Sequence, residues 1–429
     1  MIKSTKHSLL KMNKNKYCLY LEFLKEYRRV AQFTLDYLWE NSWTWKNLKG
    51  EYLTLNIKED QLNCPQFLDR RIIDIIGKTT LSARSIKCCT NQVCGAIKYI
   101  VEERSRQLFT LKNKYIKEEI IQRIKENIKK KLTKPNLKNI NPELNTICCD
   151  VRETPIGHFN AFIRLKSIGD IFGHIRIPIK YHSVSNKWKA KGKIMTSFLF
   201  AKKYISIRWK VEKPEERQYG AIVGADQGLT TVLTLSNKNT TPQQDIHRHS
   251  LVSITKKLVR KRKGSKSFKK VQAHRENFIN WSINQLSLDN IKTIKMEEIV
   301  NIGKGKRLNR FLSHWRNTLI RDKVVNRCEE LGVQVIFQSP TYRSQRCSQC
   351  GLVRKASRKG KEFKCLCGFV CDADLNASIN HEQELPDVSY ILRKLKKNRG
   401  AGFYWKPGGF FETTGEEIIV PSSKNKKIE

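Results

Sequence analysis

No stretch of the 429 residues approaches the roughly 18 consecutive apolar residues that a membrane-spanning helix needs. Acid is scarce, with 40 Asp+Glu against 83 Lys+Arg, and the formal net charge is +43. There is no internal repeat. The opening Met1-Ile-Lys-Ser-Thr-Lys runs into a charged, aromatic segment without a signal-peptide core, so the chain reads as an intracellular globular protein. Its 13 cysteines are an odd number, and in a reducing compartment no disulfide framework is expected. What is present excludes a disordered basic tail: 39% hydrophobic content with 8 Trp, 13 Tyr and 18 Phe spread along the chain. Two or three domains are expected at this length. A charge surplus this large repels itself on compaction unless a polyanion screens it. Nucleic acid, and a long one, is the expected partner. A membrane surface is disfavoured, because the charge is not gathered on one amphipathic helix.

From Tyr17 to about Trp45, apolar residues recur at helical spacing through Tyr20, Phe23, Leu24, Tyr27, Val30, Ala31 and Leu38. A mixed segment with Cys64-Pro65 follows. A second helical pattern runs from about Thr79 through Cys89, Val93, Ile97 and Leu108 to Tyr115, then fades into Lys129-Lys130-Lys131. Residues 144–212 alternate instead. In Tyr204–Val211, the residues Ile205, Ile207, Trp209 and Val211 point one way and Ser206, Arg208 and Lys210 the other. His174–Tyr181 and Lys193–Phe200 look similar, and together they predict a small antiparallel sheet or barrel. After Pro214 the pattern is α/β: strands over Ala221–Ala225, Thr231–Leu235, Lys292–Met296 and Val333–Phe337, with a helix over Leu308–Leu331. Ile254–Arg275 holds ten Lys/Arg and no acid. Its Lys256, Lys257, Arg260, Lys261, Arg262, Lys263, Lys266, Lys269 and Lys270 are candidates for tracking phosphates, although most such runs are simply solvated helix faces. The aromatic tail after Glu382 has no readable role.

Three acids stand where chains are expected to turn. Asp226, in Gly224-Ala-Asp-Gln-Gly228, ends a buried strand, where a carboxylate is costly without a cation or donor. Its glycines leave room for a bulky backbone. A DxG turn is equally common as plain structure. Glu297 ends the next strand, and Glu298 beside it should face the opposite way. Asp374 lies in Cys371-Asp-Ala-Asp-Leu-Asn-Ala-Ser378, where Asp372 can already cap a helix. Cysteines are more specific. Cys347-Ser-Gln-Cys350-Gly and Cys365-Leu-Cys367-Gly form two knuckles separated by 14 residues. Four thiolates so spaced suit one structural Zn2+ with no open position for catalysis. The second knuckle has one intervening residue where two are usual, so Cys371 is an alternative ligand. Cys88, Cys89 and Cys94 read as core packing.

Assembled, these stretches resemble the TnpB family of RNA-guided nucleases, which includes compact type V CRISPR effectors and the Fanzor proteins. The resemblance runs from Ile222 to His381. Gly224–Gly228 matches the first RuvC motif and Met296-Glu297-Glu298-Ile299 resembles the second. Leu331-Gly332-Val333 through Pro340 to Cys350-Gly looks like the lead into the family's zinc ribbon, and Phe363 through Asp374-Leu-Asn376-Ala like its return and the third motif. Two departures leave the acids intact: Arg343 replaces a usual threonine, and Glu298 a usual Asp or Asn.

The resemblance implies a multidomain α+β chain. A wedge-like β-barrel is expected over 1–14 and 142–215, and a helical recognition lobe over 15–141. An RNase H-like (RuvC) α/β nuclease domain would take 216–340 and 373–382, with an inserted zinc ribbon over 341–372 and a tail of unassigned role over 383–429. It also implies that Asp226, Glu297 and Asp374 hold two catalytic Mg2+, that Arg358 lies near the scissile phosphate, and that guide RNA and target DNA are the partners. The particle is expected to carry one or two copies of the protein per RNA, in cytoplasm or nucleoid (or in a nucleus, for a eukaryotic homologue). The alternatives are a nuclease-silent RNA-guided repressor on the same scaffold and a strand-transfer enzyme on a related fold.

Overall fold

The helical spacing that begins near Tyr17 builds α1 (Lys14–Asn41), which buries Tyr20, Phe23, Leu24, Tyr27, Val30 and Ala31 on one face. The computed structural model describes residues 1–41, 43–47, 51–55, 72–112, 134–154, 157–299, 310–388 and 397–418. The chain divides into two units, Met1–Glu212 and Lys213–Glu429, and is α+β in both. Cys64-Pro65 and Lys129–Lys131 lie outside the described residues, as do 300–309 at the start of the expected Leu308 helix.

In the first unit, β1 (Ile2–Ser8) precedes α1. A hairpin, β2 (Trp43–Asn47) with β3 (Glu51–Leu55), and the helix α2 (Ala83–Lys112) follow it. The remaining strands are β4 (Glu143–Asn145), β5 (Cys149–Glu153), β6 (Ala161–Leu165), β7 (Ile175–Ile179), β8 (Gly192–Phe200) and β9 (Tyr204–Val211), with α3 (Ser183–Lys191) between β7 and β8. In β9, Ile205, Ile207, Trp209 and Val211 are buried while Lys210 is exposed, as the alternation predicts. Ser206 is also buried, because its hydroxyl meets that of Ser4 at 2.6 Å across the sheet.

A closed barrel is not seen among the described residues. The strands form two antiparallel sheets, β1-β9-β8-β4 and β5-β6-β7. Closure would need a ladder between them, and β4, the edge strand of the first sheet, is only three residues long. The sheets instead bury their apolar faces in one core with α1 and α2, which joins Phe23 and Val93 to Ile163, Ile177 and Trp209.

In the second unit, β10 (Ala221–Gln227) and β11 (Leu233–Leu235) form an antiparallel hairpin. Next come α4 (Leu251–Val259) and α5 (Lys266–Asn284), then β12 (Ile291–Glu297), α6 (Arg310–Ser313), α7 (Asn317–Glu329) and β13 (Gln334–Gln338). The sheet order is β11-β10-β12-β13, with β10, β12 and β13 mutually parallel. The expected Leu308–Leu331 helix is interrupted at residues 314–316. There the buried Arg275 donates from Nη1 to the His314 carbonyl at 2.7 Å.

The cysteine region carries β14 (Leu352–Val353) and a small meander, β15 (Arg358–Lys359), β16 (Glu362–Lys364) and β17 (Val370–Asp372). β17 runs directly into α8 (Ala373–Glu382), whose N-terminus Asp372 caps by accepting from the Asp374 and Leu375 amides. The aromatic tail is ordered over 397–418. β18 (Phe403–Lys406) and β19 (Gly409–Phe411) extend β14 into a three-stranded sheet, and Phe403, Trp405 and Phe410 pack with Val353 and Val388. Among the described residues no helix is long and apolar enough to cross a membrane.

Candidate active site and metal knuckle

Register places the first two acids. β10 and β12 are parallel with Ala225 opposite Met296, so the next residues on each strand, Asp226 and Glu297, are neighbours on one face. Gly224 lies two residues before Asp226 and shares that face. A Cβ on Gly224 would fall 1.9 Å from the Ser378 carbonyl oxygen and 2.5 Å from the Glu382 amide nitrogen. Only glycine lets the α8 backbone rest directly on β10, and that contact aims Asp226 at the helix carrying Asp374. Gly228 has the same use lower down, since a Cβ there would lie 2.6 Å from the Thr231 carbonyl oxygen and 3.3 Å from Asp374 Oδ2. The C-terminal end of α8 is held by Lys295 of β12, whose Nζ donates to the Glu382 carbonyl at 3.3 Å and pairs with Glu384.

The three acids are buried, at 7% exposure for Asp226, 9% for Glu297 and 8% for Asp374. Glu298 is exposed, as the strand alternation predicts. Burial, then the charges of Glu297 and Asp374, hold the Asp226 carboxyl well above its usual range. Burial pushes Glu297 up to about 7, against a lowering hydrogen bond from the Gln227 backbone. Asp374 is raised by burial although Arg358 opposes it, donating from Nη2 to Asp374 Oδ1 at 2.9 Å. The Asp226 carboxylate has no hydrogen-bonded or ion-paired partner among the described residues. Crowded, desolvated oxygens with one nearby guanidinium suit a hard divalent cation, and Mg2+ fits that donor set.

Sequence reasoning missed one residue here. His381, 1% exposed at the end of α8, presents a ring nitrogen within 4.8 Å of carboxylate oxygens of both Asp226 and Glu297. Asp374 is not in that group. Burial, then the Arg343 charge, pushes the His381 imidazole down to about 3. Its only sequence signal was its spacing, seven residues after Asp374 and so on the same helix face.

The four cysteines come together as expected. The sulfurs of Cys347, Cys350, Cys365 and Cys367 all lie within 4.8 Å of one another, with 3.8 Å between Cys347 and Cys367 and 3.6 Å between Cys350 and Cys365. Zn–S bonds of about 2.3 Å put tetrahedral sulfurs roughly 3.8 Å apart, so the set fits Zn2+. Cys371 is outside the group, its thiol directed to the Asp372 carbonyl at 3.3 Å. Gly351 (φ +84°) and Gly368 (φ +89°) supply the left-handed turn after each knuckle. Asn376 and Asn380 of α8 fasten the first knuckle: Asn376 Nδ2 donates to the Arg346 carbonyl at 2.7 Å, and Asn376 Oδ1 accepts from the Ser348 amide at 3.0 Å. Asn380 Nδ2 donates to the Arg343 and Arg346 carbonyls at 3.0 and 2.7 Å. Arg343 is buried, bonded to the Asn380 carbonyl and over the Trp405 ring at 5.4 Å, where an exposed threonine-sized group would reach neither.

In the basic segment, all nine candidate phosphate contacts are exposed except half-buried Lys261, while Arg275 is buried and serves the fold. Val259 ends α4 and Lys266 begins α5, so the run wraps a helix–turn–helix whose Ile254, Leu258, Phe268 and Val271 are buried.

Residues 319–381 match the family model described as Cas12f1-like, TNB domain. Over this segment the chain is similar to the TnpB and compact type V effector family. Among the relatives, a CRISPR-associated endodeoxyribonuclease Cas12f1 of Sulfoacidibacillus thermotolerans is 37% identical over 107 residues, 24% of each chain. A TnpB-like protein of Aquifex aeolicus is 37% identical over 101 residues, covering 23% of this chain and 32% of its own. A putative RNA-guided DNA endonuclease of Streptomyces pristinaespiralis is 30% identical over 178 residues, 37% of this chain and 44% of that one. The matched stretches thus span less than half of these TnpB and Cas12f1 relatives. Among solved structures, CasPhi-2 (Cas12j) bound to crRNA aligns with 90% of this chain and 99% of that one, at 9% identity and a TM-score of 0.49.

Proposed function

We propose that the protein is an RNA-guided DNA endonuclease that hydrolyses phosphodiester bonds at a single RuvC-like site. The observation that carries this reading is the convergence of Asp226, Glu297 and Asp374 from two parallel strands and a helix, all buried, on a chain with a net charge of +43. An antiparallel hairpin leading into parallel strands, with α8 laid across β10, supports an RNase H-like fold for 216–340 and 373–382. The names of the Cas12f1 and Streptomyces relatives support guide RNA and target DNA as partners.

Asp226, Glu297 and Asp374 would hold two Mg2+. Bound there, the ions supply Lewis-acid stabilisation of the phosphoryl oxygens and lower the pKa of water for attack. The chain's own residues do the rest. Burial keeps the carboxylates in a low dielectric, where their charge acts strongly on whatever binds. Arg358 steadies Asp374 through one of its guanidinium donors, and the others would be available to a phosphate oxygen bound beside the acids. Cys347, Cys350, Cys365 and Cys367 would bind a structural Zn2+ over 341–372, and the asparagine ties of α8 transmit that rigidity to Asp374. Exposed Lys256, Lys257, Arg260, Arg262, Lys263, Lys266, Lys269 and Lys270 would track phosphates. The wedge-like role for 1–14 with 142–215, the recognition role for 15–141, one or two protein copies per RNA, and residence in cytoplasm or nucleoid belong to the same proposal.

The test is a Mg2+-dependent cleavage assay on the protein purified with its co-bound RNA, whose sequence also identifies the guide. Asp226→Ala and Asp374→Ala should each lower cleavage by at least about a thousandfold while RNA and DNA binding persist. Cleavage persisting in either variant would sink the assignment. Binding of guided DNA without cleavage by the unmodified protein would identify the nuclease-silent repressor, and joined products a strand-transfer enzyme.

A further inference from the structure

The active-site cluster contains a nitrogen donor as well as carboxylates. His381 lies at the end of α8, where the seating of the helix on Gly224 brings its backbone against β10: a Cβ on Gly224 would be 2.9 Å from the His381 carbonyl carbon. The ring is 1% exposed, and Nδ1 is buried with no hydrogen-bond partner. A buried imidazole used only for packing leaves such a nitrogen desolvated and unsatisfied. One of its ring nitrogens is nonetheless within 4.8 Å of carboxylate oxygens of both Asp226 and Glu297. No hydrogen bond or ion pair joins the ring to either acid among the described residues. Donor atoms gathered at that spacing without bonding one another can all reach a common cation. Asp374, the third acid of the site, is instead engaged by Arg358 at 2.9 Å.

We propose that His381 is a ligand of the cation held by Asp226 and Glu297, and that this nitrogen gives the site a preference for Mn2+ and other imidazole-accepting divalent ions over Mg2+. The proposal rests on the reading that Asp226 and Glu297 bind a divalent metal. The preference follows from ligand chemistry. Mg2+ favours an all-oxygen octahedron, whereas imidazole raises affinity for first-row transition ions. A histidine in the first coordination sphere therefore separates the two ions where three carboxylates would not.

Mn2+ is both probe and ligand. The full-length protein, with whatever RNA it carries, is titrated with Mn2+ and followed by electron paramagnetic resonance, with Asp226→Asn identifying the signal that belongs to this site. That control is needed because Asp245, His249 and His274 form a second group of donors within 4.8 Å of one another. The Asp226-dependent Mn2+ should show pulsed-resonance coupling to nitrogen-14 that changes to nitrogen-15 when histidine alone is isotope-labelled. His381→Ala and His381→Gln should abolish that coupling. Both should weaken Mn2+ binding by about tenfold or more and Mg2+ binding, read by competition, by less. Because the labelled protein carries no substitution, the result survives a variant that fails to fold. Asp226-dependent Mn2+ without histidine nitrogen coupling would overturn the His381 assignment and leave the metal-site reading standing. Absence of any Asp226-dependent Mn2+ would overturn both.

Discussion

Asp226 and Glu297 are held close together in a dry site where ionising either one makes ionising the other harder. Folded-state pKa values above the unfolded ones mean that the native protein binds more protons than the unfolded chain between about pH 4 and 7. With metal removed, these carboxyls make stability fall as pH rises through that window, while the buried His381 imidazole, held down at about 3, contributes the opposite slope up to the unfolded histidine value near 6.5. The acid contribution is isolated by comparing Asp226→Asn with the unsubstituted protein in thermal melts in chelator: the variant should gain roughly 1–3 kcal/mol more at pH 8 than at pH 5. Mg2+ should stabilise the unsubstituted protein at pH 8 and not the variant. An Asp226→Asn variant with the same pH slope as the unsubstituted protein would contradict the raised carboxyls. The three acids and four cysteines could be read from the sequence because each carries chemistry that a core does not need. His381 could not, because a single histidine in an Asn-Ala-Ser-Ile-Asn-His run looks like helix until its neighbours across the sheet are known.

Among elements, α8 carries most of the site, and one missing side chain decides its seat. Gly224→Ala places a Cβ against the helix backbone, so α8 must lift from β10. Such overpacking typically costs 1–3 kcal/mol, and a shift of about 1 Å at Asp374 costs on the order of a hundredfold in rate. Gly400→Ala, with nothing within 4 Å of its Cβ, is the matched control and should change neither. Denaturant midpoints and cleavage rates on the two variants check this. A functional Gly224→Ala would mean that the helix does not need the contact. The other strands and helices were legible to differing degrees. β9 and α1 follow their sequence periods because one face of each is dry. The barrel and the unbroken Leu308–Leu331 helix were wrong because closure of a sheet and a carbonyl taken by Arg275 are set by partners far along the chain.

At the level of the whole molecule, the charge predicts behaviour in salt. RNA affinity should fall steeply with ionic strength, each neutralised phosphate adding roughly 0.7–0.9 to the slope of log K against log salt. Replacing Lys266, Lys269 and Lys270 by alanine should lower that slope by up to about 2–3 and leave the melting temperature unchanged, since all three are exposed. An unchanged slope would remove this segment from the interface. The RNA-free protein should also be poorly soluble at low salt.

The scarcity of acid by itself pointed to a polyanion as the expected partner, because net charge is a sum that needs no coordinates. The sequence likewise determined the knuckle, since four thiolates at short spacing can only meet locally. Tertiary structure alone decided that three of the acids meet in a buried centre, that the aromatic tail pairs with the knuckle strand, and that a histidine from the helix end joins Asp226 and Glu297. Those outcomes depend on strand register and on how closely a helix can approach a glycine. Both are distances between residues far apart in the chain, and periodicity along the chain does not encode them.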